Sequence, residues 1–350
     1  FKNFDIFFCI NKTIKKNFIK SLNLKKNKVI ASGWPRFDLY KSKFRGLYSR
    51  EVSQLRKKFG TYYLFNSDFG LLSNEDRNNQ YKFLKKHTKN KKILNDVLSF
   101  FNITDFNNFK SFIKSLKFIH KLTKIVIRPH PAENLIEWKK VKKINPNITI
   151  EFPKYDVASM IIASKGVMHR GCTTGFQSLI FKKRTAYIGI TNGFKKTSDF
   201  RPSLYRESEK INSINALKKW IDNSKKSNKK NNLIHNLLNI KKKFSSEIII
   251  DQIEKLKISP NLKNNKFKLY NNFEVKFYSF KKLIYNLLAY VGIIKERDFF
   301  KKGSQRKIGK NFSKSNISTY INFFCKVLNL KRKISIIKLT DNLFEINFLK

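Results

Sequence analysis

The chain has 350 residues, 41% of them hydrophobic and 14% aromatic, and this composition excludes a globally disordered protein. Lys and Arg number 75 against 24 Asp and Glu, which gives a formal net charge of +51. Because the lysines are spread through every segment, the charge indicates biased codon usage more than a dedicated nucleic-acid surface, and it attracts anionic membranes whatever its origin.

Three cysteines, Cys9, Cys172 and Cys325, contain no pair at zinc-ligand spacing, and this usage is typical of a reducing cytoplasm. The chain begins inside an apolar run, residues 4–10, which is too short to span a membrane and suggests that an amino-terminal part precedes it. The most apolar later stretch, residues 283–294, is also short.

Short apolar runs alternate with helical patterns over the first 200 residues. Strands are predicted at 29–32, 61–65, 125–127, 148–150, 166–168 and 186–189. Helices are predicted at 45–59, 75–101, 106–122, 133–144, 157–164 and 176–181. Such alternation predicts an α/β fold with a doubly wound parallel sheet, whose ligands bind at the carboxyl ends of the strands.

The pattern changes after about residue 200, where helices are predicted at 217–239, 242–257 and 280–290 and a strand at 334–339. This carboxyl-terminal extension is predicted to be mainly helical, and it carries no catalytic signature. We therefore predict four regions: 1–45, the end of an amino-terminal domain and a linker; 46–205, the β/α domain; 206–260, a helical closing segment; and 261–350, a basic extension of unknown fold.

Two loops that connect a strand to a helix contain the most informative residues. Residues 128–133 (RPHPAE) follow one buried strand, and residues 169–177 (HRGCTTGFQ) follow another. Both loops are expected at the carboxyl ends of neighbouring parallel strands, where backbone N–H groups and polar side chains can hold a phosphorylated ligand.

Thr173 and Thr174 are expected at a helix start, where they can donate to a phosphate or act as ordinary helix caps. His130 lies between two prolines in a rigid loop, so it can donate to a phosphate oxygen or serve only as a structural loop residue.

The remaining candidates also have two interpretations each. Glu133 can accept from ribose hydroxyls or can be a first-turn acid favoured by the helix dipole. Arg128 can pair with donor phosphates or simply extend from the strand end, and either His169 or Arg170 is expected to face the ligand. Asn66, Ser67 and Asp68 form either one wall of the cleft or a plain polar turn; they end the first strand of this domain.

Four segments, in this order, resemble the bacterial surface carbohydrate biosynthesis protein family: residues 33–38 (GWPRFD), 66–70 (NSDFG), 128–134 (RPHPAEN) and 169–175 (HRGCTTG). Proteins of that family look like GT-B glycosyltransferases, with relatives among capsule, polysialic-acid and teichoic-acid transferases. The resemblance covers roughly residues 29–200. It departs from the family in the missing acceptor domain before residue 46 and in the basic tail after residue 260.

The resemblance implies a Rossmann-type donor domain that binds a CMP- or CDP-linked donor and transfers a sugar or alditol phosphate to a hydroxyl acceptor. It assigns the donor phosphate to His130, Pro131, Thr173 and Thr174. From the positions at the strand ends we further predict catalytic roles for His130 and Asp68 and donor binding by the following residues: Asn66, Ser67, Arg128, His130, Pro131, Glu133, His169, Arg170, Gly171, Thr173, Thr174 and Gly175. No metal and no cofactor are expected, since the chain has no Asp-x-Asp segment to hold a divalent ion. The general base is expected from the amino-terminal side.

Two alternatives stay open. A nucleotide-sugar epimerase of the same fold would need paired acids near the sugar, and a basic nucleic-acid-binding protein would need a binding motif that this chain lacks. The expected partners are a nucleotide-sugar donor, a glycan or lipid-linked acceptor and an anionic membrane surface, without specific nucleic acid. We expect a cytoplasmic protein, peripheral on the inner membrane face.

Overall fold

The structure is a computed structural model of the 350-residue chain. It describes residues 5–69, 74–87, 92, 94–96, 107–117, 123–131, 133, 135–141, 145–152, 154–189, 207–223, 243–256, 313–329, 333–340 and 343–349. The chain divides into two compact units, Phe1–Ile248 and Ile249–Lys350.

The first unit opens with a small two-stranded parallel sheet, in which β1 (Phe7–Cys9) pairs with β2 (Val29–Ala31) across helix α1 (Lys12–Ser21). A short helix, α2 (Pro35–Asp38), then begins at Pro35, where a proline costs the helix no hydrogen bond.

The buried carboxylate of Asp38 at the end of α2 accepts from the backbone N–H groups of Ser245 and Ser246, both at 3.0 Å. These two residues open helix α10 (Ser245–Glu254), so an acid more than two hundred residues away caps that helix.

Six strands form the main sheet: β3 (Tyr63–Asn66), β4 (Ile125–Arg128), β5 (Ile148–Ile150), β6 (Gly166–His169), β7 (Arg184–Ile188) and β8 (Glu209–Ile211). Their order is β5-β4-β3-β6-β7-β8, and all neighbours are parallel. Counted from β3 this is the 3-2-1-4-5-6 order of a Rossmann sheet. The strand order reverses between β3 and β6, and the carboxyl ends of these two strands therefore mark the topological switch point.

Helices cover both faces of this sheet. In the described part of the first unit, α1 and α2 are followed by these helices: α3 (Ser49–Phe59), α4 (Asn74–His87), α5 (Asn107–Leu116), α6 (Leu135–Val141), α7 (Val157–Ala163), α8 (Thr173–Ile180) and α9 (Ile214–Asp222). Helix α10 begins in this unit and ends in the next. One apolar core joins Leu64, Val126 and Val167 to α3, α7 and α8. The other joins the alternate strand residues, such as Phe65 and Ile127, to α5, α6 and α9. The predicted doubly wound parallel α/β fold is confirmed.

Three local predictions differ from the structure. The helix predicted at 45–59 begins as a 3-10 turn over Ser42–Tyr48, and the helix predicted at 176–181 begins earlier, at Thr173. The segment predicted as helical, residues 206–260, also contains strand β8, whose Ile211 packs into the core. The sequence did not reveal this strand because its other two residues, Glu209 and Lys210, are charged.

In the second unit, helix α11 (Lys314–Leu328) precedes a hairpin of antiparallel strands β9 (Lys333–Thr340) and β10 (Leu343–Leu349). The strand predicted at 334–339 is thus confirmed, and it pairs with a second strand that the sequence analysis did not predict. The helix predicted at 280–290 and the apolar stretch 283–294 lie outside the described residues.

Candidate functional site

Three polar side chains lie in a row at the carboxyl ends of the central strands, at the switch point. Asn66 on β3 stands in register with Arg128 on β4 and with His169 on β6. Since side chains alternate along a strand, all three project towards the face that carries α7 and α8, as Leu64 does two residues before Asn66. The row therefore lies beneath the start of α8.

Asn66 has an unusual environment. Its side chain is 2% exposed, and neither Nδ2 nor Oδ1 has a hydrogen-bond partner within the protein. Nε of the neighbouring Arg128 is also buried without a partner. A buried polar atom without a partner costs about 1–3 kcal/mol, and such atoms in a crevice indicate a place for water or a ligand.

The charges around Arg128 come from three other segments. Burial lowers the pKa of its guanidinium, the positive charge of Arg36 lowers it further, and Asp156 and Cys172 oppose both effects. Asp156 is the N-cap of α7 and accepts from the Ala158 N–H at 2.7 Å. Asp156 and Arg36 are therefore near enough to Arg128 to influence its charge, with opposite signs.

The start of α8 faces the same region. Gly171 has a φ of 97°, a value that glycine adopts without strain, and it turns the chain from β6 into the helix. Cys172 is the N-cap, and its thiol lies 2.7 Å from Thr174 Oγ1. Sulfur is a weak acceptor, so the first N–H groups of α8 can still bind a stronger one. Thr173 is exposed and Thr174 is half-buried.

His169 is 0% exposed and supports this turn from the interior of the protein. Its Nδ1 accepts from the Gly171 N–H at 3.0 Å, which leaves the proton on Nε2 to donate to Ser208 Oγ at 2.9 Å. Burial lowers the pKa of the imidazole to about 3. His169 is thus a neutral, buried support for the turn.

Arg170 lies across the loop that follows β3. Its guanidinium donates to the backbone oxygen of Asp68 at 3.3 Å and stacks 4.3 Å from the centre of the Phe69 ring. The charge of Arg170 is therefore directed at this loop. We predicted that His169 or Arg170 faces the ligand, and both side chains are buried in the structure.

Glu133 is buried at the junction of the loops after β3 and β4. It is 1% exposed and accepts from the N–H of Phe69 at 2.7 Å, the N–H of His130 at 3.1 Å, Trp138 Nε1 at 2.8 Å and the hydroxyl of Ser67. Burial raises the pKa of the carboxyl to about 7, against the lowering effect of these hydrogen bonds. Both oxygens already accept hydrogen bonds inside the protein, and the contact with a ribose hydroxyl stays a prediction.

The two predicted catalytic residues are each held by these loops. The His130 N–H donates to Ser67 Oγ at 3.0 Å as well as to Glu133, and its side chain is half-buried. Asp68 is half-buried, and its negative charge contributes to raising the pKa of the Cys172 thiol after burial, the larger cause. The structure thus connects the loops after β3, β4 and β6, with Pro131 buried beside them.

The prediction did not single out several residues of this site: Arg36, Asp156, Cys172 and Ser208. Asp156 could have been recognised as an acid preceding the helical pattern at 157–164, which is an N-cap signal. Ser208 contacts His169 only through tertiary packing, and no local pattern indicates it.

Within the described ranges, no group of three His, Cys, Asp or Glu side chains is placed to hold a metal ion. That the protein needs no metal and no cofactor stays a prediction. A search of the same ranges finds no helix with the length and apolarity required to cross a bilayer.

No protein-family model matches the chain, and no curated protein sequence matches it. Among solved structures, it is similar to UDP-GlcNAc 2-epimerase from Methanocaldococcus jannaschii in complex with UDP-GlcNAc and UDP, with 15% identity, a TM-score of 0.46, and coverage of 71% of this chain and 61% of that one. A variant of the wall teichoic acid polymerase TagF gives 14% identity, a TM-score of 0.45, and coverage of 73% and 58%.

A putative UDP-N-acetylglucosamine 2-epimerase from Listeria monocytogenes gives 13% identity, a TM-score of 0.44, and coverage of 71% and 58%. The chain thus spans about six tenths of the length of these structures. Identities and TM-scores this low do not assign a function to it.

Proposed function

We propose that this chain is the donor-binding part of a nucleotide-dependent transferase of surface polysaccharide assembly. It would move a sugar or an alditol phosphate from a cytidine-linked donor to a hydroxyl acceptor. The observation that carries the proposal is the gathering of Arg128, with its unpartnered Nε, and the start of α8 at the switch point of a Rossmann sheet. The resemblance of the four motifs supports the same class.

The donor phosphates would bind between the start of α8 and the two arginines. The first N–H groups of the helix and the hydroxyls of Thr173 and Thr174 supply donors, and Arg128 and Arg36 supply positive charge. His130 would donate to the leaving phosphate as the bond to the sugar or alditol phosphate breaks. This stabilisation is electrostatic, since the negative charge develops where fixed donors already point.

The acceptor hydroxyl attacks the activated group, the nucleotide leaves with the bonding electron pair, and the hydroxyl proton passes to a general base. Asp68 is half-buried at the cleft and is the described carboxylate that can take part in this step. Glu133 and Asp156, the other acids near the cleft, already accept hydrogen bonds inside the protein. This disfavours the epimerase alternative, which needs a pair of acids at the sugar.

Calorimetry against CMP, CDP, UDP and GDP tests the proposal. The cytidine nucleotides are expected to bind, and His130→Ala should weaken their binding by about 1.5–3 kcal/mol if its imidazole makes a charge-assisted hydrogen bond. Lys139→Ala is the matched control, because it removes a charge from the exposed side of α6 nearby. Negligible binding of all four nucleotides by well-folded protein would contradict the proposal.

The nucleic-acid alternative is tested in parallel with random-sequence DNA. Affinity for DNA that falls steeply with salt, without nucleotide binding, would favour a basic nucleic-acid-binding protein. For the membrane, we propose peripheral association driven by the basic surplus, at about 1 kcal/mol per lysine near anionic lipid. Co-sedimentation with anionic liposomes at low salt, lost at high salt, is the expected result.

A further inference from the structure

Asn66 is a buried amide that makes no hydrogen bond to any described residue. Its side chain is 2% exposed, and both Nδ2 and Oδ1 lack a partner. The buried Asn145 differs, because its Nδ2 donates to the Leu116 oxygen at 3.4 Å and its Oδ1 accepts from the Asn147 N–H at 2.9 Å. A buried amide without partners destabilises a fold, so Asn66 indicates a role outside the packing of the chain.

Three further residues on the same side of the sheet have a buried polar atom without a partner. They are Arg128 with its Nε, on the strand next to Asn66; Ser159 with its hydroxyl, on α7; and Gln177 with its Oε1, on α8. Helices α7 and α8 pack on the face towards which Asn66 and Arg128 project. Such atoms therefore occur on two neighbouring strand ends and on the two helices that cover them.

The chemistry of these atoms distinguishes two kinds of ligand group. Nε of Arg128 and the first N–H groups of α8 can only donate, so they suit an anionic oxygen. The amide of Asn66 needs an acceptor for Nδ2 and also a donor for Oδ1. An ionised phosphate oxygen can meet the first need but has no proton for the second. A hydroxyl group beside the phosphate supplies that proton.

The geometry places the two groups close together. Asn66 and Arg128 stand in register on adjacent strands, which lie about 4.8 Å apart, and both project to the same face. A hydroxyl on the carbon next to a phosphate ester has a similar separation from the phosphate. Asn66 is buried and Arg128 is half-buried, so the hydroxyl would lie on the inner side of the phosphate. The long side chain of Arg128 can change rotamer to admit it, as side chains at binding surfaces commonly do.

We propose that Asn66 is a specificity-determining residue of the donor site: its amide binds a hydroxyl group of the transferred moiety, next to the phosphate held by Arg128 and the start of α8. This inference rests on the proposed function. It favours donors that transfer a hydroxylated group and disfavours a donor of equal size without the hydroxyl. The discrimination arises because an apolar group would leave the buried amide without partners.

Two cytidine esters of nearly equal size test this role. CDP-glycerol has hydroxyls on its glycerol carbons, and the CDP ester of n-propanol has the same carbon chain without them. In calorimetry with the full chain, wild type should bind CDP-glycerol about 10- to 100-fold more tightly than the propyl ester. Asn66→Leu, a change of similar volume, should lose this preference, because no amide is left to bind the hydroxyl.

Asn145→Leu is the matched control, since it removes a buried amide that has its partners within the protein. This variant should keep the preference for CDP-glycerol, because Asn145 precedes β5 at its amino end, away from the candidate site. In urea denaturation without ligand, Asn145→Leu should lower the midpoint. Asn66→Leu should not, because its polar atoms have no hydrogen bond to lose.

The outcomes separate this inference from the proposed function. Wild type that binds the two esters equally overturns the role of Asn66, and this criterion needs no variant. The role is also overturned by a folded Asn66→Leu protein that keeps the preference, or by one whose urea midpoint falls as far as that of Asn145→Leu, the result expected of a structural amide satisfied by water. In these three cases the proposed function stands. If wild type binds neither ester, both proposals fail.

Discussion

Two buried titratable side chains hold three loops at the same edge of the sheet, and the two side chains have opposite chemistry. Glu133 is an acid that accepts four hydrogen bonds, and burial raises its pKa to about 7. His169 is a base with one donor and one acceptor partner, and burial lowers its pKa to about 3.

Burial disfavours the charged form of both residues, but the consequences differ. His169 is neutral at every pH above about 3, so the turn into α8 keeps its support across the physiological range. Glu133 changes charge near neutrality, and its ionised form is the one that burial disfavours. The charge of His169 is therefore constant across neutral pH, whereas the charge of Glu133 is not.

Removing the acid altogether should have the largest effect. Glu133→Ala removes the acceptor of the Phe69 N–H and of Trp138 Nε1, and each unmade bond costs about 1–3 kcal/mol, while the His130 N–H keeps Ser67 Oγ as its acceptor. It also leaves a cavity in the interior. We expect a loss of more than about 3 kcal/mol in the free energy of unfolding, measured by urea denaturation near pH 8. The control Glu137→Ala, whose partly exposed carboxylate pairs with the exposed Lys140, should change it by less than about 1 kcal/mol.

The pH dependence of stability should show opposite signs for the two residues. The pKa of Glu133 rises from 4.5 to about 7 on folding, so its contribution to stability is present below 4.5 and is lost as pH rises to 7. The pKa of His169 falls from 6.5 to about 3, so its contribution is present above 6.5 and is lost as pH falls to 3.

Between pH 4.5 and 6.5 the two effects cancel, and variants should uncover them. Across this window the unfolding free energy of Glu133→Gln should rise with pH, and that of His169→Gln should fall, each by up to about 1.4 kcal/mol per pH unit relative to wild type. Urea midpoints measured at several pH values check this. If the unfolding free energies of the two variants changed with pH in the same direction, the opposite pKa shifts of Glu133 and His169 would be wrong.

A methyl group added to α8 at Gly175 should disturb the packing against His169. A Cβ on Gly175 would lie 2.7 Å from Cε1 of the His169 ring, which is rigid and enclosed. Gly175→Ala should therefore lower the unfolding free energy by about 1–3 kcal/mol. Gly189→Ala, whose nearest contact would be 3.3 Å from a Tyr187 ring atom, is the control and should cost less. Equal thermal stability of the two variants would contradict the close packing.

The smallest expected effect concerns the outer partner of His169. Ser208→Ala removes the acceptor of the Nε2 proton, 2.9 Å away, and should cost about 1 kcal/mol. Ser49→Ala, which removes an exposed local hydrogen bond, should cost less in the same denaturation assay. Equal unfolding free energies for the two variants would contradict this prediction, because they would mean that the Nε2 proton of His169 donates to water when Ser208 is absent.

The sequence indicated the sheet well because strands such as residues 125–127 and 148–150 are short apolar runs bounded by polar segments. It did not indicate β8, where Ile211 is the one fully buried residue of three. The positions of the loops at one sheet edge followed from the parallel order alone, and for that reason Asn66, Arg128 and His169 were correctly grouped.

The roles within that group could not be predicted. An acid near a helix start has the same local pattern whether it faces water or the interior, and the donors to Glu133 include Ser67 and Phe69, more than sixty residues earlier in the chain. Arg36 is exposed and influences Arg128 through space, a relation that no spacing along the chain encodes. Which polar residues face a ligand is decided by tertiary packing.

The hydrogen bonds by which Asp38 caps α10 have a consequence for the order in which the chain folds. Its hydrogen bond to Ser245 joins residues 207 positions apart, which makes it one of the least local contacts in the first unit. Closing so long a loop costs entropy before any bond is gained, so this contact is expected to form late in folding. A shortened chain that stops before Ser245 would complete its Rossmann sheet and still leave a buried carboxylate without the amides that solvate it.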